Sequence, residues 1–350
     1  MKAYCIRNVL KNVTPILLAL FMFPSCDSMI YDDEGNCEVS YRVKFVYDRN
    51  LKFADAFGVE VDSVSLYAFD MDGRLAWSGT ESGEALSRKD YAMTVGLRPG
   101  VYDMIAWCYG NNGGQRFVVG NGGVPQLRED IYCSLCRNYA DGVAVVDRNL
   151  QRLYHGRNAA VCLPDTFGTV EREIHLMKNT NSIRIMLQHL NGMSISKDDF
   201  DFKIIYANGL MGYDNSLLDD EPLTYRPHVK RNTQAVIGGE AGGDTQTEVQ
   251  GVFAEITTAR LMAANEPLLI VTDRTRENKE IIRIPLCQYA LMVKGQYTKA
   301  LTDQEYLDYQ DEYAMTFFLD DSNDWYTGVG IYINSWHVVP PQDETLTGKY

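Results

Sequence analysis

Clustered positive charge is missing from this sequence. Lys and Arg number 33 against 47 Asp and Glu, a formal charge of −14, and no long basic run occurs. Neutralising phosphates needs grouped Lys and Arg, so a nucleic-acid partner is excluded. Also missing is an apolar stretch of the ~20 residues that crossing a bilayer as a helix requires. Histidine is scarce, and its five copies (His155, His175, His189, His228 and His337) are dispersed. No GxSxG elbow, HExxH, P-loop or GxGxxG occurs. The glycine-rich stretches at 111–114 and 120–123 precede no clear helix and read as loops. No repeat of 20–50 residues marks a solenoid or propeller. The sequence therefore gives no positive reason to expect an enzyme, a catalytic residue, a metal site or a cofactor.

What is present is globular composition. Hydrophobic residues make up 45% and charged residues 23%, which excludes a wholly disordered chain. At 350 residues the chain is long for one domain and fits two of roughly 150 residues each. Its 22 Tyr and 13 Phe favour half-buried pleated surfaces, and its 28 Gly supply turns, so a β-rich protein is expected.

The first 25 residues read as an address. Lys2, Arg7 and Lys11 form a positive region, and Ile16–Phe23 is an apolar core too short to span. It ends at Phe23-Pro24-Ser25-Cys26, where a small residue before a cysteine resembles a bacterial lipobox, with Phe23 standing where Leu is usual. Cys26 is then the lipid-attachment residue and the first mature residue; ordinary cleavage beside an incidental Cys is the competing reading. Residues 26–36 form a short acidic tether. Six further cysteines follow at 37, 108, 133, 136, 162 and 287, and they allow 15 pairings. Cys133-Ser134-Leu135-Cys136 has metal or redox spacing, but no second half-site is close. A local disulfide or plain thiols are the other readings.

Strand signals recur along the rest. Glu38–Tyr47 alternates Val39, Tyr41, Val43, Phe45 and Tyr47 against Ser40, Arg42 and Lys44. Val59–Phe69 is a second strand, and Asp70-Met71-Asp72-Gly73 turns it into a hairpin. Tyr91–Leu97, Val101–Tyr109, Glu171–Met177, Asn181–Leu190, Phe200–Tyr206, Gly251–Met262, Pro267–Thr272, Glu280–Pro285, Met315–Leu319 and Gly328–Val339 continue the series. Thr302-Asp303-Gln304-Glu305 is a capping box that predicts a helix over Asp303–Tyr313. The paired acids Asp198-Asp199, Asp219-Asp220 and Asp320-Asp321 fall in turns and read as solvated loops. Such spacing, with few short helices, argues for an all-β chain of two tandem β-sandwich domains, residues 37–170 and 171–350.

Several stretches, in order, resemble the FimB-like fimbrillin-associated anchor proteins of Bacteroides-type bacteria. They are the lipobox with its acidic tether and Cys37, Asn50–Phe57 leading into the second strand, and Leu97–Tyr102. Leu153-Tyr154-His155-Gly156, Lys178–Arg184, Gln304–Asp308 and Ile333–Val339 follow. The resemblance implies transthyretin-like Greek-key sandwiches, lipid attachment at the outer membrane, surface exposure and a place at the base of a fimbrium beside its stalk subunits, the fimbrillins. The alternative is a surface glycan-binding lipoprotein of a polysaccharide-uptake system, with Trp77 or Trp325 stacking on a sugar ring.

In related stalk subunits an extended strand from one subunit fills a groove in the next, and the recipient first loses its own first strand. Here the first strand lies only a short tether from Cys26, so losing it would also detach the protein from its lipid. The strand is therefore expected to stay in place and close the groove. The tail after Val339 opens with Pro340-Pro341 and alternates little, which makes it a poor donor strand.

Overall fold

The structure, a computed structural model, describes residues 39–110, 116–120, 123–237, 247–295 and 298–339. The first half runs β1 (Ser40–Val46), a helical turn α1 (Phe57–Glu60), β2 (Ser63–Phe69), β3 (Leu75–Ser82), β4 (Met93–Val95), β5 (Gly100–Tyr109), β6 (Phe117–Val119), β7 (Tyr132–Leu135), β8 (Asn138–Ala140), β9 (Val143–Val146), β10 (Leu153–Leu163) and β11 (Thr169–Lys178). The second half runs β12 (Thr180–His189), β13 (Phe200–Tyr206), β14 (Leu210–Gly212), β15 (Leu223–Tyr225), β16 (Val229–Ile237), β17 (Thr247–Ala259), β18 (Leu268–Asp273), β19 (Lys279–Pro285), α2 (Leu286–Leu291), α3 (Asp303–Tyr309), β20 (Glu312–Leu319), β21 (Ile331–Ile333) and β22 (Trp336–Val338). The chain is all-β with few short helices.

A seven-stranded sheet has the order β3-β2-β5-β10-β11-β1-β4. Two six-stranded sheets, β16-β17-β12-β20-β21-β22 and β19-β18-β13-β15-β9-β8, pack face to face. Ile183, Ile185, Leu187, Val252, Ala254 and Phe317 from one meet Phe202, Ile204, Leu269, Val271 and Tyr225 from the other in one core. The alternation in β13 explains this seat. Phe200, Phe202, Ile204 and Tyr206 are buried, while Asp201 is exposed and Lys203 and Ile205 are half-buried.

The halves also share strands. A small sheet, β14-β7-β6, joins β14 of the second half to two strands of the first, and β9 pairs in parallel with β15. This explains why Asp103–Cys108 in β5 is buried at every position. Ile105 and Trp107 point into the common core with Phe117, Cys133 and Leu135, and Met104, Ala106 and Cys108 point to the other face.

Local chemistry sets the turns and ends. Asp70 Oδ1 accepts from the backbone N–H of Asp72 at 3.0 Å and of Arg74 at 2.8 Å, which folds the β2–β3 hairpin. Asn334 and Ser335 have φ of 50° and 70°, the left-handed pair that a two-residue β21–β22 hairpin needs. Gly156 lies so close to β11 that a Cβ there would sit 2.9 Å from the His175 carbonyl oxygen and nearer still to Ile174 and Leu176. The capping box forms as read: Thr302 Oγ1 accepts from Glu305 N at 3.2 Å, and Glu305 Oε2 accepts from Thr302 N at 2.7 Å. The helix stops at Tyr309, short of the expected Tyr313, because Gln310 is extended and Tyr313 is a buried position of β20. The start expected for the second strand, Val59, lies instead in α1.

Candidate functional site

The first strand is the feature on which a subunit's assembly state turns. β1 lies inside the seven-stranded sheet, pairing in parallel with β11 from Ser40↔Thr169 to Val46↔His175 and antiparallel with β4 from Tyr41↔Val95 to Val43↔Met93. Tyr41, Val43 and Phe45 are at most 2% exposed. Phe45 stacks on Phe57 of α1 with ring centroids 5.7 Å apart and on Tyr91 at 6.5 Å, and Phe57 and Tyr91 stack at 5.8 Å. The three rings fasten β1 to the segments that follow it and precede β4. On the wet face Lys44 pairs with Glu173 at 2.9 Å, and the Arg42 guanidinium donates to the Asp90 carbonyl at 2.9 Å. The Tyr41 hydroxyl donates to the Pro164 carbonyl at 2.7 Å.

Where β1 ends, a polar chain takes over. Tyr47 meets Tyr154 edge-on at 5.0 Å, and the Tyr154 hydroxyl donates to Glu60 at 2.7 Å. Lys178 reaches Glu60 at 3.5 Å and pairs with Asp311 of the second half. Burial raises both tyrosine pKa values, so their hydroxyls stay neutral donors. Burial pushes the Glu60 carboxyl up, but Lys178, the Tyr154 hydroxyl and Arg152 outweigh it and hold it below its usual 4.5.

The other residues singled out by sequence are placed as follows. Cys26, the tether, Cys37 and the tail from Pro340 lie outside the described residues. Cys133 is buried in β7 and Cys136 is exposed just beyond it; both are free thiols, as are Cys108, Cys162 and Cys287. Burial pushes the Cys108, Cys133 and Cys287 thiols up, Cys287 to about 12, so these three are not thiolates at neutral pH. Trp77 lies against Gly79 and Gly96, where a Cβ would come within 2.5 Å and 3.6 Å of its indole. Trp325 packs edge-on against Phe317 at 5.4 Å. Both indoles are half-buried. Asp220 is held by both Nη atoms of Arg137 at 2.7 and 2.8 Å, and Asp320 accepts from the N–H groups of its own turn. His175 pairs with Asp48 at 3.0 Å, and His189 and His337 sit on backbone carbonyls. No helix among the described residues is long and apolar enough to cross a membrane, which says nothing of β-barrels.

Sequence reasoning found β1 but not its fastenings. Phe57, Tyr91, Glu60 and Asp311 carry no local signal, because each acts through a partner distant in sequence.

Residues 33–339 match the family of Fimbrillin-A associated anchor proteins Mfa1 and Mfa2, and the chain belongs to that family. It is 23% identical over 337 residues, 95% of each chain, to the minor fimbrium anchoring subunit Mfa2 of Porphyromonas gingivalis. A solved Bacteroides thetaiotaomicron protein, provisionally described as an adhesin, is 31% identical with a TM-score of 0.75, covering 88% of this chain and 99% of that one. A second solved protein from Bacteroides thetaiotaomicron, provisionally described as polysaccharide-binding, is 31% identical with a TM-score of 0.72, covering 88% and 100%. The family places the chain among surface-associated anchors of fimbrial subunits.

Proposed function

We propose that this protein is an outer-membrane lipoprotein, anchored through acyl chains on Cys26, that holds a fimbrial stalk of fimbrillins at the cell surface and ends its growth. The observation that carries the reading is the seat of β1, paired on both edges and buried on its apolar face. A strand held in that way leaves no first-strand groove for a neighbour to fill. Only about a dozen residues separate Cys26 from Ser40, roughly 40–50 Å of extended chain. The strand and the lipid thus form one connected anchor, and several acyl chains bury enough CH₂ groups at ~0.8 kcal/mol each to hold it. The test is Cys26→Ala in cells. Release of the protein from membranes, with fimbriae shed into the medium, is expected. Unchanged detergent partitioning and no loss of acyl label would overturn the lipid anchor.

A second reading, a glycan-binding surface lipoprotein, is favoured by the solved relative described as polysaccharide-binding. The packing of Trp77 and Trp325 weighs against it. Titration with surface polysaccharides separates the two: saturable binding would support the glycan reading.

A further inference from the structure

One short loop, Tyr213–Asn215 between β14 and β15, keys the second half of the chain onto the first. The Tyr213 ring lies under the guanidinium groups of Arg128 and Arg157, at 4.9 and 5.1 Å. Its carbonyl oxygen accepts from His155 Nε2 at 2.9 Å. A carbonyl can only accept, so this contact fixes the Nε2–H form of the imidazole. The Asn215 carbonyl accepts from Arg260 Nη1 at 2.7 Å. The Asn215 and Asn179 carboxamides exchange hydrogen bonds at 2.5 and 3.1 Å.

The surrounding charges are already matched. Asp103 takes Nε and Nη2 of Arg157 at 2.9 and 2.7 Å and also Arg128 at 3.1 Å, and Arg128 pairs with Glu129 at 2.8 Å. Asp308 takes Arg260 at 3.0 and 2.9 Å. His155 sits among them, 4% exposed and edge-on to Trp107 at 4.6 Å. From its own strand it faces Arg157, from the end of β17 Arg260, and from the loop Asp214. β5 presents Trp107, and β11 presents Met177 opposite it in register.

We propose that the Tyr213–Asn215 loop is an acid-released latch, in which protonation of His155 adds an unmatched cation beside Arg157 and Arg260 and frees the loop from the first half. Neutral, the imidazole is a donor to Tyr213 and costs no charge repulsion. Protonated, it is a buried cation with two guanidinium neighbours whose acids are already engaged, leaving Asp214 alone to offset it. Burial holds its pKa down at about 4 from 6.5; the Tyr213 carbonyl and Asp214 pull it up, and Arg260 and Arg157 push it down. The sign follows. Between these values the released loop binds the proton that the latched form refuses, so the latch is intact above pH 6.5 and weakens as pH falls toward 4. The full span corresponds to a fall of about 300-fold in the latched-to-released ratio.

Hydrogen exchange of the full chain, corrected for intrinsic rates, tests this between pH 7 and 4. Protection of residues 210–217 should fall by about two orders of magnitude while that of 182–187 in β12 holds. His155→Gln, which keeps an N–H for the Tyr213 carbonyl without a titrating group, should leave protection of 210–217 flat across the range. Asp214→Asn, which removes the carboxylate that offsets the imidazolium in the latched form, should leave the onset of the fall near pH 6.5 and deepen it at the acid end. A flat response in the wild type, the same fall in H155Q, or a fall in D214N that is shallower than the wild type's would each overturn the latch.

Discussion

Phe45→Ala tests how firmly the first strand is held. The side chain is 2% exposed, and its ring pairs with Phe57 at 5.7 Å and Tyr91 at 6.5 Å. Truncating a buried Phe costs ~3–5 kcal/mol in transfer and cavity terms. Stacked rings add ~0.5–1.5 kcal/mol per pair beyond burial, so the upper end, about 5 kcal/mol, applies. For a chain of this size each kcal/mol moves Tm by roughly 2 °C, which gives a fall of about 10 °C. Phe45→Leu, which refills most of the volume, should lose less than half as much. Urea and thermal denaturation followed by circular dichroism give both numbers. The functional arm uses a protease site placed in the exposed loop after Asp48. Once cut there, the wild-type chain should keep its N-terminal piece through gel filtration, and F45A should lose it. A cost under 1 kcal/mol for F45A, or loss of the piece from the cut wild type with the remainder still folded, would refute the reasoning. β1 would then be a loosely held strand, and the closed groove would no longer explain termination.

Two further outcomes follow from buried charges. Asp308→Ala leaves the Arg260 guanidinium buried without its carboxylate and should cost about 3–5 kcal/mol, whereas Arg260→Met with Asp308→Leu should recover most of it; a urea-denaturation double-mutant cycle measures both. Asp273 is fully buried. Burial raises its pKa, but hydrogen bonds from Thr275, Asn323 and Arg276 outweigh it and hold the carboxyl below its usual 3.8. The stability it contributes is present above that value and is lost as pH falls through the lower folded value, so Asp273→Asn should flatten the acid limb of a stability–pH curve below about pH 4.

Much of the fold is written locally. β1, β13 and β20 alternate at period two because each has one buried and one wet face, and that pattern needs no partner to be recognised. The Thr302 capping box and the hairpin turn at Asp70 are likewise chemistry between residues a few positions apart. β10 escaped such reading because Leu153, Tyr154, His155 and Gly156 are all buried, which erases alternation. α2 escaped because a short apolar run such as Leu286–Leu291 looks the same as helix or strand.

The sequence alone thus determined the strand-rich class and the position of the first strand beside Cys26. Its family resemblance, which the match over residues 33–339 bears out, supplied the anchor class. Only the tertiary structure decided that β1 pairs with β11, more than 120 residues away, and that Phe57 and Tyr91 clamp it. It also decided that Trp77 lies half-buried against Gly79 and Trp325 against Phe317, and that His155 sits in a ring of matched charges. The physical reason is the same in each case. Alternation and capping depend on neighbours along the chain, whereas pairing, stacking and burial of charge depend on which distant segments the folded chain brings within a few ångströms.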